Sequence, residues 1–253
     1  MEFIAHVPLS KTAFVALAII LLFALERSFP VVPWLGGLAR VITNLVLAGF
    51  NFVASPLIVI PITAFAASHM LDWRPAVWTG WLGVGLDLLL LDFWIYWWHR
   101  ANHVVPFFWR FHEVHHLDEM LDTTSALRFH FGEVVLSSLV RAAVIFVLAL
   151  PLSSVIVFEA LVLVSALFHH SNLKLPAGFE RALSWVVVTP SIHWVHHHAK
   201  RSDTDSNYCT VLSVWDRLFG SRSKTVRSTD MPIGIEGTYE RRIVRLILKP
   251  FQR

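Results

Sequence analysis

Charge is scarce in this chain: Asp, Glu, Lys and Arg make up 15% of its 253 residues, against about a quarter in a soluble domain, which excludes a surface solvated all round. Cysteine is all but missing. The lone Cys209 rules out an intramolecular disulfide framework and any zinc site built from Cys ligands. Gly and Pro, 11 and 12 in number, are too few for a collagen-like or low-complexity chain, and 19 Phe with 11 Trp carry more apolar bulk than a disordered segment holds. What is abundant is apolar: 55% of the residues are hydrophobic and the mean hydropathy is +0.59. These values point to a membrane protein.

A membrane helix needs roughly 20 mostly apolar residues. Residues 41–68 form such a run without a charge, and Pro56 and Pro61 predict a kink or a broken helix within it. Residues 12–25 form a shorter run flanked by Lys11 and Arg27, whose stems can snorkel to the interfaces; with a weak basic start and no small-x-small site it does not read as a signal peptide. Residues 75–98 are apolar apart from Asp87 and Asp92, and 131–168 predict an up-and-back hairpin turned at Pro151 with Arg141 and Glu159 inside it. The expected fold is therefore all-α: a multi-pass membrane helical bundle of about four or five spans or half-spans, carrying a histidine-rich helical lobe. Of the 21 Lys and Arg, 13 lie from Ser171 onward, which predicts that this half faces the cytoplasm. The hairpin then brings 99–128 to the same face. The expected division is N-terminal spans over 1–75, a catalytic region over 76–221 that includes the hairpin, and a basic cytoplasmic tail over 222–253. Such a tail sits on anionic lipid headgroups rather than on nucleic acid.

The compositional outlier is histidine, 14 residues against 18 acids, and imidazole is the usual side-chain ligand for Zn, Cu, Fe and Ni. Asp92, Tyr96, His99 and His103 follow one another at steps of four, three and four, which is one stripe of a helix. Two imidazoles converge there, with Asp92 and Tyr96 expected behind them to orient a ring through its second nitrogen. His112, His115 and His116, and again His193, His196 and His197, are spaced i, i+3, i+4, each triplet one helical face; His198 falls off that face. Eight such histidines (99, 103, 112, 115, 116, 193, 196 and 197) argue for two metals, because one catalytic zinc takes three protein ligands. His6 and His69, alone in apolar surroundings, read as satisfied core polar groups, and Asp118, Glu119 and Asp122 as a solvated loop. His112, Glu113 and His116 also satisfy the H-E-x-x-H pattern of zinc peptidases. An integral-membrane zinc metallopeptidase is thus the alternative, although it leaves His99, His103, His115 and the whole second triplet without a role. A divalent-metal transporter would place its ligands in mid-span, whereas these clusters fall at span ends.

In combination and in order, these boxes resemble the fatty acid hydroxylase/sterol desaturase superfamily of integral-membrane non-haem di-iron oxygenases. The resemblance runs over 87–221 and takes in H-x-x-x-H (His99, His103), H-x-x-H-H (His112, His115, His116), a His-x-Asn element (His170, Asn172) and a second H-x-x-H-H (His193, His196, His197). A stretch from Asn207 and Tyr208 through Trp215, Asp216, Leu218, Phe219 and Gly220 is similar as well. Cys209 and Ser221 depart from the pattern, where the superfamily usually has Gly and Thr. The resemblance implies His130 and His170 as further metal ligands and Asn172 as a supporting residue. It implies two iron ions, with O2 as co-substrate, and a membrane lipid (fatty acyl chain, sterol or related lipid) that is hydroxylated or desaturated. Purified protein can carry zinc instead, since Zn binds such sites more tightly than Fe(II). Electrons are expected from a separate cytochrome b5-like or ferredoxin-like donor and its reductase, at the cytoplasmic face of a bacterial inner membrane or the endoplasmic reticulum.

Overall fold

The computed structural model describes residues 2–34 and 37–252, and gives the backbone alone over 2–12. The side chains of His6 and Lys11 therefore lie outside the described residues. All named elements among those residues are helical. The long ones are α1 (Glu2–Ser28), α2 (Gly37–Ala54), α3 (Ile60–Ser68), α4 (Gly80–Val104), α5 (Pro106–His116), α6 (Phe131–Leu148) and α7 (Leu152–His170). Short ones follow: α8 (Ala177–Leu183), α9 (Pro190–His196), α10 (Arg201–Thr204), α11 (Val214–Leu218) and α12 (Ile243–Leu248). Among the described residues, four stretches are long and apolar enough to cross a membrane: Gly37–Ser68, Gly80–Val104, Phe131–Leu148 and Leu152–His170.

The proline-bearing run is one continuous span, Gly37–Ser68, with an irregular turn inside it. Between α2 and α3 the chain passes through one π turn, Ser55–Val59, with Pro56 at its start. Proline has no N–H to donate and its ring crowds the carbonyl four residues back; a local i+5 turn accommodates both. The predicted hairpin is present, turning through Ala149 in the left-handed region (φ 52°) and Pro151, which precedes α7. Its two internal charges meet across the pair, Arg141 to Glu159 at 3.1 Å. Asp87 is likewise neutralised, 2.9 Å from Arg74 and hydrogen-bonded by the Ser154 hydroxyl at 2.6 Å. Ala66, Leu91, Ile145, Leu150, Val155 and Phe158 interlock α3, α4 and the hairpin. Lipid is as apolar as these side chains, so close packing rather than water exclusion holds them.

The loop over 117–128 departs from expectation. Asp118 and Asp122 are buried, not solvated. Asp122 receives Arg40 of α2 at 2.8 Å and caps the 3-10 turn Thr123–Leu127, while Asn44 bridges Asp118 to Arg128. Buried acids need such partners, and these lie some 75 to 85 residues away in sequence, where local spacing carries no hint of them. Glu26 of α1 is tied in too, accepting the N–H groups of Thr123 and Asn172. The stretch expected as a basic tail packs back on the lobe. The Ala199 N–H donates to the Pro232 carbonyl and that of Gly234 to the His197 carbonyl, and Leu246 is buried against Leu47, Val114 and Leu117.

Gly132 marks the tightest approach in this region. Its N–H donates to His130 Nδ1 at 3.0 Å, and a Cβ there would sit 2.6 Å from the Phe111 ring. Gly132→Ala is expected to cost about 1–3 kcal/mol through overpacking, read as a lowered unfolding temperature in detergent. Unchanged unfolding would show that Phe111 has room to yield.

Candidate metal centre

Each imidazole is carried to one end of the bundle by the element that bears it. His99 and His103 lie in the last turns of α4, His170 ends α7, and α5, which starts two residues after α4 ends, carries His112, His115 and His116. Helix α9 starts at Pro190, suited to a first helical turn, and brings His193, His196 and His197 against α7.

There the rings sort into two groups. His99, His103, His112, His116 and His196 form one; His115, His170, His193 and His197 form the other; within each, the candidate ligand atoms lie within 4.8 Å of one another. The triplets do not serve one point each, as their spacing suggests. Each gives its i, i+4 pair to one group and its i+3 member to the other: His112 and His116 against His115, His193 and His197 against His196. On a 3.6-residue period, i+4 lies roughly 40° to one side of i and i+3 roughly 60° to the other, so a triplet spans an arc wide enough for two centres. The groups adjoin, with His116 and His197 stacked at 4.3 Å between centroids.

Hydrogen bonding fixes which nitrogen five of the rings offer. The Nδ1–H groups of His99, His115, His170 and His196 donate to the carbonyls of Tyr208 (2.7 Å), Arg128 (3.1 Å), Ala166 (2.7 Å) and Ser206 (2.6 Å), and that of His112 donates to the Glu133 carboxylate at 2.8 Å. The Nε2 atoms are left facing one another. His112 and His116 approach at 3.2 Å, His115 and His170 at 3.0 Å, and His170 and His193 at 3.0 Å. Neighbouring ligands of one metal at ~2.1 Å stand about this far apart. Nε2 of His103 and of His196 and both ring nitrogens of His197 are buried without a hydrogen-bond partner, an expensive state for polar atoms unless something binds them. Burial, with the crowding of neighbouring imidazoles, holds His115, His116, His193, His196 and His197 well below the ordinary imidazole range. They are neutral donors at neutral pH. Nine converging imidazoles fit two transition-metal ions of the Fe or Zn kind.

The structure gives other predicted residues different work. His130 belongs to neither group: Nδ1 accepts from Gly132 at the start of α6 and Nε2 donates to the Ile247 carbonyl at 3.0 Å, so both nitrogens are committed. Asp92 touches no imidazole. Seven residues separate it from His99, ~10 Å along a helix, and its carboxylate accepts from Trp215 Nε1 (2.8 Å) and Leu212 N (3.2 Å), tying the lobe to α4. Tyr96 pairs with Ser221 at 2.8 Å. Asn172 clamps the segment after α1, accepting from the Val31 and Val32 N–H groups and donating to the Val32 carbonyl. His169 packs on His193 at 3.9 Å between centroids but stands outside both groups. His198 is off the face as expected, bonded to Asp203 at 2.8 Å. Glu113, the would-be peptidase base, lies toward Lys249 at 4.0 Å and joins neither group. Cys209 accepts the Asp216 N–H, and burial pushes its thiol up, so it is a packed apolar residue rather than a nucleophile.

Sequence reasoning missed Glu133 and the four carbonyls. Glu133 could have been noticed as an acid in the first turn of an apolar run, which costs free energy unless paired. A carbonyl partner leaves no side-chain signal at all.

Residues 84–221 match the sequence profile of the family described as fatty acid hydroxylase. Among curated relatives, ornithine lipid hydroxylase OlsE of Rhizobium tropici is 27% identical over 198 residues, 78% of this chain and 59% of that protein. Alkylglycerol monooxygenase of Xenopus tropicalis is 35% identical over 144 residues, 57% of this chain and 30% of that one. Fatty acid hydroxylase vlmA of Lecanicillium sp is 28% identical over 172 residues, covering 63% and 47%. The chain thus spans less than two thirds of the length of each of these relatives. No solved structure matches it significantly.

Proposed function

Since this chain belongs to the fatty acid hydroxylase family, we propose that it is a membrane-bound lipid hydroxylase whose two imidazole groups hold a pair of iron ions. The observation that carries this is the meeting of five and four histidines, in adjoining groups, at the common end of four apolar helices. Relatives named as an ornithine lipid hydroxylase, alkylglycerol monooxygenases and a fatty acid hydroxylase favour hydroxylation over desaturation and a substrate that is itself a membrane lipid.

His99, His103, His112, His116 and His196 would hold one ion and His115, His170, His193 and His197 the other. When bound, the pair supplies the oxidising power by which O2, two electrons and two protons convert a C–H bond to C–OH and release water. The protein's own groups do the rest. The carbonyls of Tyr208, Arg128, Ala166 and Ser206 and the Glu133 carboxylate hold each Nδ1 proton, which keeps Nε2 free as the donor atom. Asp216 secures Tyr208 in turn by accepting its N–H at 2.8 Å. Burial of the groups excludes water, and the spans present an apolar surface on which an acyl or alkyl chain is at home. Electrons come from a separate donor protein at the face bearing the basic half, which the charge rule assigns to the cytoplasm. The division into spans (1–75), catalytic region (76–221) and C-terminal segment (222–253) belongs to the same reading.

Membranes containing the protein, supplied with a reductant system under 18O2, are expected to form a lipid carrying one labelled oxygen, with none incorporated from labelled water. Product formed at full rate without O2, or labelled from water, would overturn the proposal in favour of hydrolysis.

A further inference from the structure

The C-terminal segment carries three stripes where a helix on a solvated surface carries two. Leu246 and Pro250 are buried and Ile243 half-buried beside them. Val244, Leu248 and Phe251, on a second stripe, are 67%, 47% and 65% exposed. Arg242, Arg245 and Lys249 form the third. Over α12 (Ile243–Leu248) and the 3-10 turn Lys249–Phe251 that continues it, the exposed apolar residues fall on an arc apart from the buried and the basic ones, with Arg242 just ahead of the helix.

The neighbours of the exposed stripe say what covers it. Phe251 lies 6.0 Å from the Phe111 ring and 6.2 Å from His130; His130 stacks on Phe131 at 4.6 Å; Phe107 lies 5.5 Å from Phe111. Phe131 is the first residue of one candidate span, and α5, with Phe107 half exposed, begins at Pro106, two residues after another span ends at Val104. The aromatic chain therefore follows the level at which α4 leaves the bilayer and α6 enters it, the level where aromatic belts lie. The link is covalent on one side and hydrogen-bonded on the other, through His130 Nε2 and the Ile247 carbonyl at 3.0 Å. Among the charged groups, Glu240 and Glu113 stand 3.4 and 4.0 Å from Arg245 and Lys249, and Arg110 and Arg242 are exposed nearby. Cations outnumber acids around the stripe.

We propose that residues 242–251 form an interfacial foot: Val244, Leu248 and Phe251 enter the hydrocarbon edge of the bilayer while Arg242, Arg245 and Lys249 engage anionic phospholipid headgroups. This is the ordinary energetics of an in-plane amphipathic helix, apolar burial plus attraction to anionic lipid, here applied to a segment whose inner face also packs on α5, the helix bearing three of the imidazoles. The foot would fix the depth of the lobe relative to the membrane.

The test uses the full chain in vesicles, spin-labelled at Phe251→Cys, with Thr229→Cys in the polar stretch before it as control; buried Cys209 stays unlabelled. In phosphatidylcholine–phosphatidylglycerol vesicles, the label at 251 should collide with O2, which concentrates in lipid, several-fold more relative to a water-soluble nickel chelate than the label at 229. Leu248→Cys and Val244→Cys give the same reading should loss of the Phe251 ring prevent folding. Replacing Arg242, Arg245 and Lys249 together by Gln should move these labels toward water in the anionic vesicles and leave them unmoved in pure phosphatidylcholine. Nickel access equal to that at 229 would overturn the proposal, and so would shielding from both reagents, which would mean that a protein surface or a second copy covers the stripe. An unmoved label in the Gln variant would overturn the headgroup part.

Discussion

His116→Ala is expected to remove the metal of the five-imidazole group, lowering content from two ions per chain toward one, and to abolish lipid oxidation. His197→Ala should do the same from the other group. Loss of an outer hydrogen-bond partner costs 10–100-fold in affinity or activity; removal of a ligand atom from a site of four or five should exceed that. His198→Ala provides the control next door, since that ring bonds Asp203 at 2.8 Å and points at neither group. His130→Ala is a second control: its nitrogens hold Gly132 and Ile247, so its cost should fall on thermal stability and not on metal content. Elemental analysis of freshly purified protein, beside turnover, checks all four. Two ions retained in His116→Ala, or equal metal loss in His197→Ala and His198→Ala, would contradict the grouping.

How far the sequence goes toward this site is set by the range of each interaction. The triplets at 112–116 and 193–197 and the pair at 99 and 103 are legible because helical spacing is local, and their location at the ends of apolar runs follows from the same counting. The sharing of each triplet between two groups is not legible, because it depends on how α4, α5, α7 and α9 cross, and a stripe of residues does not say how many points its arc serves. The same limit explains Asp92. It lies on the stripe of His99, yet two turns of rise separate them, and the Trp215 side chain that claims its carboxylate comes from 123 residues away. Pro56 announced an irregular turn without saying which kind. Asp118 and Asp122 read as solvated because the charge that pairs with both, Arg40, comes from the start of α2, far earlier in the chain.

Glu133 offers the sharpest remaining test, because it is the one side chain among the five hydrogen-bonded Nδ1 partners described for the grouped imidazoles, Asp205 lying farther from His103 Nδ1 at 3.4 Å. The other four rings donate to backbone carbonyls, which mutation cannot remove; here the acceptor is a side chain, Oε1 at 2.8 Å from His112 Nδ1. Glu133→Ala frees the His112 ring to rotate and to offer the wrong nitrogen, so metal affinity or turnover is expected to fall 10–100-fold. Glu133→Gln keeps a neutral oxygen in place, the same kind of acceptor that serves His99, His115, His170 and His196, and should recover most of that loss. The intermediate value of the amide is what distinguishes ring orientation from packing: a role confined to stability would lower the unfolding temperature in the Ala variant while leaving metal affinity, measured by competition with a chelator, where it was. Should Ala and Gln variants both bind metal like the wild type, Glu133 would be a buried acid satisfied by its histidine and nothing more, and His112 would be oriented by its packing alone.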